Sequence, residues 1–358
     1  IGDARLDLRE AAQPRHTEEI EDEMPARSGR RFSEWLAWAA AAGALVAAGF
    51  LASRPSVEPE YPLTRFSLGL TDERTLSFLD QPILALAPHG RSLAMTVTDP
   101  GTARDVIVLR RFDENETARL DGTEGAGEIF FSPDGTAVGF FADGKLKRAS
   151  VVGGSVVTLA DAPTPRGGVW LSGGTIVFAP EYASGLWTVG DTGGAASLLV
   201  DVDAGRDERT FRFPHATPDG EILLFTVGTL DSPNNYDNAV IDAYSLKTGE
   251  RRTIIERANM ARFAGRDRIV FARAGKLYAV GFDPDSLQTV GEPSPVIEDV
   301  GGDPSSGAGY FSISENGTIA WLAGAVTAAD ALLTLVDENG VAERPVSYTH
   351  LTLPTITE

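Results

Sequence analysis

Residues 128–159 constrain the fold more than any other part of the chain. They read Glu-Ile-Phe-Phe-Ser-Pro-Asp-Gly-Thr-Ala-Val-Gly-Phe-Phe-Ala-Asp-Gly-Lys-Leu-Lys-Arg-Ala-Ser-Val-Val-Gly-Gly-Ser-Val-Val-Thr-Leu. Short apolar runs alternate here with turn signals. In Ser132-Pro133-Asp134-Gly135, proline presets its own φ, the aspartate side chain bonds locally, and glycine accepts φ > 0. Asp143-Gly144 and Gly153-Gly154 are hairpin dipeptides. The stretch therefore reads as a four-stranded antiparallel meander. One such sheet is marginal by itself, because nothing covers its faces.

The chain supplies copies. The first turn recurs as Ala87-Pro88-His89-Gly90, Ser172-Gly173-Gly174, Thr217-Pro218-Asp219-Gly220, Ala264-Gly265-Arg266-Asp267 and Ser314-Glu315-Asn316-Gly317. The spacing is roughly 40 to 50 residues, the period of a four-stranded propeller blade. A β-rich run follows each turn, at 93–97, 137–141, 175–179, 222–227, 269–273 and 318–322. A third run follows at 106–110, 145–150, 186–189, 239–246, 276–282 and 331–336. The expectation is an all-β propeller of about six four-stranded blades over 64–345. Phe130, Phe131, Phe140 and Phe141 are expected between blades, as are Trp170, Trp187 and Trp321. The segment 64–70 alternates like a strand and is expected to complete the last blade, which would remove an open sheet edge.

Charge narrows the function classes. The formal net charge is −20, which excludes the basic face that a nucleic-acid partner calls for. There is no cysteine, hence no disulfide and no thiolate metal site. Residues 13–34 form a linker, acidic at Glu18, Glu19, Glu21, Asp22 and Glu23 and then basic at Arg27, Arg30 and Arg31. Residues 35–52 carry no charge and as a helix would span ~27 Å, enough for a bilayer core. The preceding arginines place the N-terminal side in the cytoplasm. The expectation is a preceding transmembrane helix and a single-pass cell-membrane protein with an extracytoplasmic propeller. A start at Met24 would instead make this stretch a secretory signal. Residues 53–63, with Pro55, Pro59 and Pro62, read as a stiff spacer.

The order of parts resembles bacterial membrane-anchored serine/threonine protein kinases with a C-terminal TolB-like, WD40-like propeller. Residues 1–12, opening Ile-Gly-Asp-Ala-Arg, resemble the C-terminal tail of the kinase domain. The strings Phe141-Ala142-Asp143-Gly144-Lys145-Leu146-Lys147, Ala162-Pro163-Thr164-Pro165-Arg166-Gly167-Gly168 and Ser184-Gly185-Leu186-Trp187 resemble the family's propeller. The resemblance implies a sensor or scaffold propeller that binds a ligand or protein, with the kinase domain, its ATP and its magnesium outside this chain. It also implies further blades beyond this fragment, which begins with Ile1. Residues 346–358 depart from the repeat and resemble a translated sequencing adapter.

The chain has no Gly-rich phosphate loop, no His-Arg-Asp and no Asp-Phe-Gly. It also has no Gly-x-Ser-x-Gly. No residue is assigned a catalytic, cofactor or metal role. The alternatives are an exported TolB-like binding protein starting at Met24 and the non-catalytic propeller of a peptidase. His16, His89 and His215 are scattered and read as satisfied or solvated. The string Asp231-Ser232-Pro233-Asn234-Asn235-Tyr236-Asp237-Asn238 reads as an exposed hairpin loop, with calcium binding as its alternative. Arg206, Asp207, Glu208 and Arg209 read as a surface salt-bridged turn.

Overall fold

The computed structural model describes residues 38, 40, 43, 67–68, 75–77, 81–114, 116–324 and 332–336. The chain divides into two units, Ile1–Glu60 and Tyr61–Glu358. In the first, Trp38, Ala40 and Gly43 are described, helical and exposed. The expected membrane-spanning helix over 35–52, and with it the single-pass membrane location, is corrected here. Among the described residues no helix is long and apolar enough to cross a membrane. Freedom from charge makes a segment compatible with a bilayer, but spanning also needs about 20 residues of continuous apolar helix. The segments assigned to 1–12, 13–34, 53–63 and 346–358 lie outside the described residues.

The second unit is all-β. Five sheets have four strands, and a sixth has five. In chain order the strands nearest the axis are Leu84–Leu86, Gly127–Phe131, Gly168–Trp170, Glu208–Ala216, Asn259–Phe263 and Phe311–Ile313. Each inner strand touches the next, and the last touches the first. The expectation of about six four-stranded blades behind a transmembrane helix is thus corrected to five four-stranded sheets, one of five strands and a two-stranded pair, Gly302–Asp303 with Ala308–Gly309, with no membrane-spanning helix among the described residues. The irregular sheet is the first. Thr75–Leu76 and Leu84–Leu86 both pair with Ser92–Thr98, at opposite ends of the same edge. The second and third strands of each repeat fall within two residues of the runs read from sequence, for example Ala137–Ala142 and Lys145–Ser150.

The repeated turn has a repeated chemistry. The Ser132 hydroxyl bonds Asp134 at 2.6 Å, and the Thr136 amide donates to the same carboxylate oxygen at 3.0 Å. These two bonds, the hydroxyl's first, hold the Asp134 carboxyl below the usual carboxylate range. Thr217 with Asp219, and Ser314 with Asn316, repeat the hydroxyl contact at 2.6 and 2.5 Å. A hydroxyl at the first position and Asp or Asn at the third therefore fix the turn. Neighbouring turns also touch: Arg266 forms an ion pair with Asp219 of the preceding sheet.

The ring closes through both backbone and side chains. Ser67–Leu68 pairs with Leu332–Val336 as the outermost strand of the last sheet, so an N-terminal strand completes the C-terminal blade. At the axis, the Leu86 amide donates to Ser312 Oγ at 2.9 Å, and the Glu315 amide to the Pro88 carbonyl at 3.1 Å. Closure of this kind leaves no blade without neighbours on both faces, and only the short outermost strands keep an open edge.

Apolar clusters fill the space between sheets. Phe130 and Phe141 lie with Trp170 and Phe178 in one of them. The Phe130 ring is held between two glycines: a Cβ would fall 2.3 Å from it at Gly139 and 2.6 Å from it at Gly168. Glu208 is not in a surface turn. Its side chain is 2% exposed, and Arg251 spans it at 2.7 Å and Asp242 at 2.6 Å. Burial is possible because the fork satisfies both carboxylates while the guanidinium lies over the Phe211 ring at 4.4 Å.

Two substitutions test this packing. Gly139→Ala should destabilise by roughly 1–3 kcal/mol, since the methyl collides with a ring that has no room to move. Arg251→Met should cost about 3 kcal/mol or more, because two buried carboxylates lose their bidentate partner. Urea denaturation monitored by circular dichroism measures both.

Candidate functional site

The six inner strands enclose a central channel with a cavity of about 140 Å³, and each strand contributes to its wall. The repeated turns surround one end. At the other end the inner strands begin, and their backbone departs from the ladder. The register shifts between Gly127 and Ile129, between Arg212 and His215, and between Asn259 and Ala261. A left-handed residue sits at each shift: Glu128 at φ 34°, Phe213 at 52° and Met260 at 41°. In the intervening sheet Gly167 takes the same role at φ 102°. A side chain there would be blocked as well, because a Cβ on Gly167 falls 2.7 Å from the Phe213 Cα. Non-glycine residues in this region cost of order 1–3 kcal/mol each and tend to mark functional sites.

These bulges stitch neighbouring sheets together. The Phe213 amide donates to the Arg166 carbonyl at 2.7 Å. Arg262 Nη1 donates to the Phe213 and Ala261 carbonyls, both at 3.0 Å. The Gly309 amide meets Met260 Sδ at 3.0 Å. Charged residues gather at and next to these bulges; of them Arg262 lines the cavity, as does Glu315 from the last repeated turn. Arg166, Arg212 and Arg262 come from consecutive sheets, and buried Glu128 from the sheet before them. Burial lowers the pKa of Arg212 to about 10, against the attraction of Tyr236 and with the repulsion of Arg166 and Arg209. Burial likewise lowers that of Arg262 to about 10, opposed by the Glu128 carboxylate. Both remain cations at neutral pH. Neither has a carboxylate within ion-pair distance among the described residues.

Arg212 is 3% exposed. Its Nη1 donates to the Ser306 carbonyl at 2.8 Å, and its guanidinium lies 4.2 Å from the Tyr236 ring centroid. Tyr236 comes from the loop that sequence reasoning read as exposed. It is 1% exposed, and its amide bonds the Pro304 carbonyl at 3.0 Å. The polar insertion is thus anchored over the channel mouth by an aromatic side chain. Among the described residues no group of three or more histidine, aspartate or glutamate side chains could hold a metal.

His215 lines the cavity. Its Nδ1 accepts the Phe263 amide at 3.1 Å, so a neutral ring carries its proton on Nε2. Burial, then the nearby Arg262 charge, hold its pKa well below the usual histidine value. His89 sits in a turn with Nδ1 accepting the Arg91 amide at 3.0 Å, and His16 lies outside the described residues. Sequence reasoning gave His215 no role and missed the arginines. The available signal was charge at the start of otherwise apolar inner strands, as in Phe211-Arg212-Phe213-Pro214-His215 and Met260-Ala261-Arg262-Phe263.

The fold defines a class, the closed all-β propeller. No family model and no curated protein matches the chain. Solved structures do resemble it. A puromycin hydrolase S511A mutant in complex with PGG is similar at TM-score 0.50 and 18% identity, over 72% of this chain and 45% of that one. A TolB protein from Agrobacterium tumefaciens is similar at TM-score 0.42 and 16% identity, over 49% of this chain and 65% of that one. An oligogalacturonate lyase in complex with manganese is similar at TM-score 0.45 and 12% identity, over 77% of this chain and 96% of that one. At these identities the likeness is one of fold.

The half-buried neutral imidazole predicts a pH dependence. The folded-state pKa of His215 is depressed, so the unfolded chain takes up its proton first as pH falls. The stability it contributes is present above the ordinary histidine pKa near 6.5 and is lost below it, by at most about 1.4 kcal/mol per pH unit. His215→Gln should flatten the decline in thermal midpoint between pH 7 and pH 5, as read by scanning calorimetry.

Proposed function

We propose that this chain is a binding propeller and that its central channel is where a small ligand is held. One observation carries the reading. Arg262 and His215 line the cavity from two neighbouring inner strands, beside bulges whose left-handed residues, Met260 and Phe213, bear backbone strain. Packing between blades needs neither feature, since apolar side chains do that elsewhere in the ring. The finer form of the proposal makes the propeller the sensor or scaffold part of a serine/threonine protein kinase. Its support is the resemblance of residues 1–12 to a kinase tail. A kinase domain encoded in frame ahead of Ile1 would sustain that form, and a locus without one removes it.

Trp170 is 7% exposed and lines the cavity, and the chain has five tryptophans. Its emission should therefore report occupancy. A titration panel of neutral sugars, amino acids, nucleosides, carboxylates and phosphates should give a saturable change with at least one class. The change should vanish in Trp170→Phe, with folding checked by circular dichroism. If every class leaves the emission flat, the channel does not hold small ligands.

A further inference from the structure

The channel contains more than positive charge; it contains an oriented set of unused donors. Arg262 is held by one corner. Its Nη1 satisfies two backbone carbonyls, Phe213 and Ala261. Its Nε and Nη2 donate to no group among the described residues, and the side chain lines the cavity. Those two nitrogens form one edge of the guanidinium, the edge that pairs with two oxygens of a carboxylate or phosphate. On the neighbouring inner strand, His215 is fixed by the Phe263 amide on Nδ1, which leaves the Nε2–H as a donor. That nitrogen also meets no acceptor among the described residues, and its ring lines the same cavity. The residue after Arg262 is the one that fixes His215, so a single backbone step sets both donors.

We propose that Arg262 and His215 form an oxyanion site in the channel, taking the carboxylate or phosphate group of a small molecule. The proposal rests on the channel being a ligand site and deepens that reading. Three further observations support it. The guanidinium is half-buried in the folded protein, so the incoming group meets a stronger field than it would at the open surface. Arg212 and Arg166 add positive charge from the two preceding sheets, against the carboxylates of Glu128 and of Glu315, which also lines the cavity. The cavity is also small, about 140 Å³, which suits a head group rather than a polymer segment. Arg262 supplies the charge and the two-point geometry. His215 supplies a third, neutral hydrogen bond that orients the group.

The test uses the full chain and two probes, inorganic phosphate and succinate, each titrated by calorimetry and by Trp170 emission at constant ionic strength with chloride as balance. Saturable binding of at least one probe is expected, and which one binds identifies the head group. Arg262→Gln should weaken that binding at least about tenfold, the loss of a charge-assisted pair of hydrogen bonds. Arg262→Gln also disturbs two backbone carbonyls, so His215→Ala provides an independent arm and should weaken binding by about threefold to tenfold. Arg252→Gln, on the outer face, should bind as the parent does. Failure of both probes to bind beyond the chloride control overturns the oxyanion site. Binding that survives both channel substitutions unchanged overturns it as well. If a neutral compound shifts Trp170 emission while both anions fail, the ligand channel stands and this assignment alone falls.

Discussion

Everything in this molecule depends on the ring being closed. A twisted four-stranded sheet has two faces to cover and two edges to pair, and no single repeat can do either for itself. Packing each sheet on its neighbours covers the faces, but only a closed circuit leaves no first and last face. Closure is made at two radii. At the rim, Ser67–Leu68 supplies the outermost strand of a sheet whose other strands come from the opposite end of the sequence. At the axis, Ser312 and Glu315 bond the backbone of the first inner strand and its turn. Both contacts link residues more than 200 positions apart, so both carry a large loop-closure entropy that only the assembled ring offsets.

Closure also dictates where a site can form. Inner strands crowd together at the axis, and crowding favours small residues, bulges and backbone contacts between sheets. Gly167 against Phe213 is the tightest example, with no space for even a methyl group. Each bulge reverses the local backbone and turns one side chain away from the sheet faces. The residues so placed, or next to the bulge, are Glu128, Arg166, Arg212 and Arg262. A polar channel in a β-rich core is therefore a consequence of how the strands enter the ring. Its charges are tolerable because backbone carbonyls accept from the guanidinium groups, those of Phe213 and Ala261 from Arg262 and those of Ser306 and Tyr182 from Arg212.

Much of the fold was legible in the sequence because turn chemistry is local. A hydroxyl residue, an Asp or Asn two positions on and a following glycine are sufficient to fix the hairpin, and the structure shows those bonds one by one. The strands after each turn follow from alternation. Other features were not legible because they depend on contacts across the ring. Nothing in Arg206-Asp207-Glu208-Arg209 announces that Glu208 is buried, since its partner Arg251 lies 43 positions away. The loop containing Tyr236 reads as polar and exposed, and the ring that anchors it packs against Arg212 of the same sheet and against Gly307, far along the chain. Absence of charge over 35–52 was overread as a membrane span, because compatibility with a bilayer is weaker than a demonstrated helix. The channel arginines were visible as letters. Their convergence could be seen only once three consecutive sheets stood side by side.

The contrast between the outside and the channel carries the last step. The chain has a net charge of −20, yet Arg166, Arg212 and Arg262 lie near its axis, with the carboxylates of Glu128 and Glu315. At physiological ionic strength the surface charge is screened beyond about 8 Å, so it does not cancel the field deep in the channel. It does act on anything that must lie along the surface. A polyanion contacts the acidic exterior over many residues and is repelled at each, whereas a small anion crosses the rim once and then sits where water is scarce and attraction is strongest. On the proposal that the channel takes an anion, an acidic exterior would favour small anions over long ones without any moving part. The same arrangement makes an overall acidic composition compatible with the proposed recognition of a single negative group.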